Sequence, residues 1–238
     1  MRDLDSVMAE LKSKGAEKNR ITYARHGVPM ERTFGVSNAD LKIIAKTIKG
    51  QQALALELYT TGIMDAMYLA GIIADGKKMS ARELQAWADG AAEIAMIAEH
   101  TVPWVTVESS HGHELALKWI KSKKEHLAAT GWRSYAGIVT TTADEVLDLE
   151  EIEGLLKKVV AEVHGAPNRV KSTMNGFVMS VGIYVKPLSK QAKDAAAKIG
   201  VVSVDVGDTD CKVSVASEYI ANAEAKGRAG VKKKTVRC

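Results

Sequence analysis

The sequence predicts an all-α protein built as a stack of helical repeats. Three observations carry that expectation. Alanine, the strongest helix former, supplies roughly one residue in seven. Aromatic residues make up 5% of the chain, with two Phe and four Pro. That is too little β-forming and turn-forming material for a large sandwich or barrel. Apolar residues recur at helical spacing between short breaks marked by Gly or Pro, so successive helices become antiparallel neighbours.

The elements follow in order. Helices are expected at 3–14 and 16–26. Ser37-Asn38-Ala39-Asp40 opens a third, which runs through Leu41, Ile44 and Ala45. Two more follow at 51–60 and 63–74. Ser80-Ala81-Arg82-Glu83 is a capping box at the head of another. A helix is expected at 91–99, and Pro103 suits the first position of the next. Helices at 112–121 and 124–141 come after it. Asp148, with Glu151 three residues on, caps a helix whose stripe is Ile152, Leu155, Leu156, Val159, Val160 and Val163, ended by Gly165. The last three are expected at 168–184, 188–198 and 213–225, the final one capped by Asp208 or Thr209. Residues 201–207 alternate and are β-branched, so they read as an extended strand or strap. About a dozen short helices without a heptad register look like an α-α solenoid more than a four-helix bundle. No internal linker is visible, which gives one domain over 1–225 and a basic tail over 226–238.

The chain of 238 residues has 33 Lys+Arg against 29 Asp+Glu, a formal net charge of +4. Lys226, Arg228, Lys232, Lys233, Lys234 and Arg237 account for the whole excess, so residues 1–225 are slightly acidic. Such a tail is either a frayed, solubilising terminus or a flexible arm that touches phosphates. Two cysteines, Cys211 and Cys238, exclude a disulfide framework and fit a reducing cytosol, so a cytoplasmic protein is expected. The opening Met1-Arg2-Asp3-Leu4-Asp5 has no apolar core of a signal peptide. No apolar run is long enough to span a bilayer, and no membrane partner is expected.

Familiar chemical motifs are absent. There is no Gly-rich phosphate loop, no paired-cysteine metal site and no nucleophile elbow, so no cofactor or metal is expected. His111 and His113, with Glu108 or His126, are the nearest approach to a ligand set but lack ordered spacing. Val102-Pro103-Trp104-Val105-Thr106-Val107-Glu108 is the unusual segment. Trp104 and Glu108 share one face whether the segment is helical or extended. A Trp beside a carboxylate suits a flat cation. A core Trp with a surface Glu nearby fits the same spacing.

Three stretches and the segment 204–213 resemble a known family, the AlkD-like DNA alkylation repair glycosylases built from HEAT-like helical repeats. Phe34-Gly35-Val36-Ser37-Asn38-Ala39-Asp40-Leu41-Lys42 resembles an early Gly-Val…Leu-Arg/Lys element. Leu54 through Ile63, followed by Tyr68-Leu69-Ala70, resembles the next helical pair. Trp104 through Glu108 matches a Trp-x-x-x-Asp, with Glu in place of Asp. Val204-Asp205-Val206-Gly207-Asp208-Thr209-Asp210-Cys211-Lys212-Val213 resembles a subgroup of the same family.

The resemblance implies a HEAT-like superhelix and excision of cationic alkylated purines, N3-alkyladenine or N7-alkylguanine, from double-stranded DNA by a monomer without lyase activity. Glu108 and Trp104 would be the catalytic pair. A cationic base leaves without general acid help, and one carboxylate can stabilise the charge that develops on the sugar. Phe177 stands where the family has a second Trp. It also shares a helical face with Val170, Met174 and Val181, the pattern of a core residue. The family has an Arg pair shortly after a Trp, one member of which grips phosphate; Trp132-Arg133-Ser134-Tyr135 offers one Arg, Arg133, shifted along the helix, with Tyr135 as a further substrate-binding candidate. Arg169, Lys171 and Ser172, with the helix N-termini, would contact the DNA backbone, and Tyr23 matches a Tyr near the site. Lys118, Lys121, Lys123 and Lys124 read mainly as a solvated face. Two alternatives remain open: a non-catalytic binder of damaged or branched DNA, and a helical-repeat scaffold for proteins.

Overall fold

A computed structural model describes residues 2–237. Among these residues there are thirteen α-helices and no strand. The chain forms two compact units, residues 2–111 with 206–210, and 112–205 with 211–237.

The first unit holds α1 (Leu4–Lys14), α2 (Glu17–Arg25), α3 (Asn38–Thr47), α4 (Gln52–Thr60), α5 (Met64–Ile73), α6 (Ala81–Gly90) and α7 (Val102–Glu108). Local chemistry starts several of them where the sequence places the starts. Ser37 accepts the Asp40 N–H at the head of α3, and Ser80 and Glu83 close a complete capping box on α6. Helix α5 is apolar nearly all round, with Asp65 its single charge, and its residues are buried except Ile72. A helix without a polar face must be central. Helices α3, α4 and the turn before α7 pack on α5, and Leu41, Ile44, Leu58, Met67 and Leu69 fill the core.

Asp65 organises the loop that precedes α3. Its fully buried carboxylate accepts the Thr33 hydroxyl at 2.9 Å and the N–H groups of Phe34 and Val36, both at 2.7 Å. Gly35 sits between those two donors at φ +78°, which a Cβ would oppose, and a Cβ there would also lie 2.4 Å from the Ala16 oxygen.

The second unit holds α8 (Gly112–Ile120), α9 (Glu125–Thr141), α10 (Leu149–Glu162), α11 (Asn168–Tyr184), α12 (Ser189–Ile199) and α13 (Ala216–Ala225). Helices α9 and α11, seventeen residues each, pack against one another as its spine. Asp148 caps α10 by accepting the Glu151 N–H at 3.0 Å, as its spacing predicts.

Three expectations are corrected. Residues 91–93 form a turn, so the helical winding expected over 91–99 begins only at 95. Pro103 falls in the first turn of α7, as expected, and a π-turn at Ile97–Thr101 runs straight into that helix, with the Val102 N–H donating to the Ile97 oxygen five residues back. A proline inside a helix lacks a donor and crowds the preceding turn, and the wider winding relieves that crowding. The last helix begins at Ala216 after Val215, which makes no side-chain cap, and Thr209 instead donates to the Val206 oxygen. The basic tail is not a frayed arm at 230–233. Gly230 N–H donates to the Ile183 oxygen, Lys233 N–H to the Thr140 oxygen, and Lys232 pairs with Asp144 at 2.7 Å.

The segment around 201–207 has no strand partner among the described residues. It acts as a strap, tied to the start of α11 by two 2.7 Å bonds between Asn168 and Asp205. Among the described residues, no helix is long and apolar enough to cross a membrane.

Candidate functional site

The residues singled out in the sequence fall in both units. In the first unit, Trp104 and Glu108 lie one turn apart on α7. Trp104 is only 3% exposed. Tyr68 of α5 meets it edge-on, with centroids 5.0 Å apart, and His100 lies 6.5 Å away. The indole is therefore a packing element and offers no open face to a base.

Glu108 is half-buried at the end of α7. Its Oε2 accepts the Gly76 N–H at 3.3 Å. Gly76 begins a short turn that presses directly on α7. A Cβ at Gly76 would lie 2.2 Å from the Val105 oxygen and 2.9 Å from the Glu108 Cβ. Gly76 is one of the glycines that mark helix breaks in the sequence, and its contact with α7 is what the sequence does not show. Gly76→Ala is expected to push the turn off α7, cost about 1–3 kcal/mol by overpacking, and release the Glu108 carboxylate. A urea titration and the Gly76 amide resonance check this. An unchanged midpoint would show that the two segments separate freely.

Tyr23 is half-buried in the same unit and donates its hydroxyl to the Val36 oxygen at 2.8 Å. Burial first, and then the Asp65 charge, raise its phenol above the usual value. Its hydroxyl thereby ties α2 to the loop before α3.

In the second unit, Phe177 is 0% exposed between Trp132 and Tyr135, at centroid distances of 5.2 and 5.8 Å. It packs in the core with Val170, Met174 and Val181, as their shared helical face implies. Tyr135 is likewise buried, and its hydroxyl bonds the Glu151 carboxylate. Burial first, then that hydrogen bond, push the phenol well up. His113 reaches the same Glu151 oxygen at 2.7 Å. Among the described residues, no group of three or more His, Cys, Asp or Glu is arranged to hold a metal.

Arg133 is half-buried, with a guanidinium resting over Gly176 of α11. Arg169, Lys171 and Ser172 are half-buried on the first turn of α11. The Arg169 N–H already donates to Glu125 at 2.6 Å, so a carboxylate occupies part of that helix start. These four residues keep partial access to solvent, as Tyr23 does, whereas Trp104, Tyr135 and Phe177 do not.

Comparison with known proteins fits this arrangement. Residues 7–199 match the family described as DNA alkylation repair enzyme. An uncharacterized protein of Listeria innocua is 28% identical over 225 residues, covering 92% of this chain and 95% of that one. An uncharacterized protein of Listeria monocytogenes is 26% identical over 223 residues, with the same coverage. One solved structure is described as a new family of proteins related to the HEAT-like repeat DNA glycosylases with affinity for branched DNA structures. It is 38% identical over the full length of both chains, with a TM-score of 0.90. The fold class is thus the all-α, HEAT-like helical repeat. With its family match spanning most of the sequence, this chain belongs to the DNA alkylation repair enzyme family.

Proposed function

We propose that the protein is a DNA-binding member of this family that recognises branched DNA by shape and charge. One observation carries the reading: Trp104, Tyr135 and Phe177, the rings a lesion would stack on, are all buried. A cationic base gains cation–π energy only from an accessible ring face. Arg133, Arg169, Lys171 and Ser172 stay partly accessible, as do Tyr23 and Glu108. Groups like the first four grip phosphates and do not discriminate bases. The full-length relative with affinity for branched DNA supports the same reading.

The test is fluorescence anisotropy with a four-way junction and a linear duplex of equal length. The junction is expected to bind about tenfold or more tightly, with affinity falling steeply as salt rises. Equal affinity for both overturns the reading, and an absence of salt-dependent affinity favours a protein scaffold.

A second reading, excision of N3-alkyladenine or N7-alkylguanine, is favoured by Glu108. Its carboxylate is held by the Gly76 N–H and retains partial exposure. A carboxylate held in place is suited to stabilising charge at the sugar. Glu is one methylene longer than Asp, and a displacement near ~1 Å can cost about a hundredfold in rate. Base release from methylated DNA by wild type and Glu108→Gln, side by side, separates the two readings. Release that Glu108→Gln abolishes establishes a glycosylase. No release above the uncatalysed rate leaves the binder.

A further inference from the structure

The second unit contains a cavity of about 610 Å³ that the site described above does not use. It opens where the end of α8, the start of α9, the end of α10 and the start of α11 converge. That size is within the range of pockets for small organic ligands, roughly 300–1,000 Å³.

Its floor is apolar: Ala161, Ala166 and Pro167 keep access to solvent there, above the almost fully covered Ile120, Ala128, Trp132, Val170 and Met174. Its rim is charged. Of the two acids there, Glu162 is paired with Lys158 at 2.7 Å, whereas Glu125 accepts the Arg169 N–H at 2.6 Å and keeps its charge, so Lys121, Lys123 and Lys158 outnumber the acids by one. Lys121 and Lys123 are exposed on the rim, and among the described residues neither forms an ion pair. Lys118 and Lys124 continue the positive surface on either side.

An apolar floor with a cationic edge fits a ligand that has a flat apolar part and a phosphate. In DNA that ligand is a nucleotide outside the stack, because a base within a duplex has both faces covered. We propose that the cavity takes one unpaired nucleotide of a branched DNA, with the base on the apolar floor and its phosphates on Lys121 and Lys123. The proposal rests on the branched-DNA reading and names the feature of the branch that this unit engages.

Two experiments test it. In the first, thymidine 3′,5′-bisphosphate is titrated into the full-length protein, and amide resonances are followed by NMR. Shifts are expected to cluster at residues 120–128 and 165–174, which line or flank the cavity. Scattered shifts, or none at millimolar ligand, overturn the proposal. In the second, anisotropy compares a three-way junction with and without one unpaired thymidine at the branch. Wild type is expected to prefer the unpaired form severalfold. Ala161→Phe, which places a ring at the exposed lip of the cavity, is expected to bring that preference to about one. Lys121→Ala with Lys123→Ala is expected to weaken binding about tenfold and to flatten the salt slope by about 1.4–1.8.

The failures are distinguishable. If wild type binds no branched DNA, the parent reading fails, and the bisphosphate titration still decides the cavity. If wild type binds junctions but all variants match it within twofold, the cavity proposal alone is wrong. If the variants lose binding to an unphosphorylated peptide library and not to DNA, the occupant is a protein segment and the proposal is overturned.

Discussion

Asp65→Ala is expected to destabilise the protein by about 3–5 kcal/mol, the scale seen when one partner of a buried charged network is removed. The Asp65 carboxylate is fully buried and holds three donors, the Thr33 hydroxyl and the Phe34 and Val36 N–H groups. Each buried donor left without an acceptor costs about 1–3 kcal/mol. Water cannot reach all three without opening the loop around Gly35. Asp65→Asn keeps the shape but turns one acceptor into a donor, so it is expected to lose part of the same energy. Urea unfolding measures both. Thr33→Val should be strongly non-additive with Asp65→Ala, because the two share a bond. A loss below about 1 kcal/mol for Asp65→Ala would mean that the loop is held by packing alone.

Phe177→Ala is expected to cost about 3–5 kcal/mol and to lower the melting temperature by on the order of 10 °C. The ring is 0% exposed and meets two aromatic neighbours, so its removal leaves a cavity between α9 and α11. Phe177→Leu should recover much of the loss. Phe177→Trp, the residue the glycosylase resemblance would call for, is expected to destabilise by about 1–3 kcal/mol through overpacking. A stacking platform would behave in the opposite way. Its truncation would spare the melting temperature and weaken ligand binding, and that pattern would restore Phe177 to the site.

Much of the fold was legible because it is written in local chemistry. Ser37, Ser80 and Asp148 begin helices through side-chain bonds to residues three positions on, and such bonds need no tertiary partner. The expected starts of α3, α6 and α10 rest on that chemistry. Where no local cap exists the reading slipped. The final helix begins at Ala216 without one, and an expected cap at Asp208 or Thr209 placed it too early. Pro103 marks the first turn of α7, but not the π-turn that leads into it. Its donor is missing, but whether a helix ends there or widens into a π-turn depends on what packs around Ile97–Thr101.

The candidate site was less legible. Spacing places Trp104 and Glu108 on one face, and it leaves open whether that face meets solvent or core. Tyr68, thirty-six positions earlier, covers the indole, and Gly76 holds the carboxylate. The signal for Asp65 was present, a single acid in an otherwise apolar helix, yet its three donors are supplied by a loop about thirty residues away.

The sequence by itself determined the all-helical class, the heads of the capped helices and the family, because propensity, capping and motif order act within a few residues of one another. The tertiary structure decided which rings are covered, where the acids of the rim find partners, and that the basic tail is tied down by Gly230, Lys232 and Lys233. Exposure and pairing depend on residues distant in the chain, and a periodic pattern says which side chains share a face without saying what that face will meet.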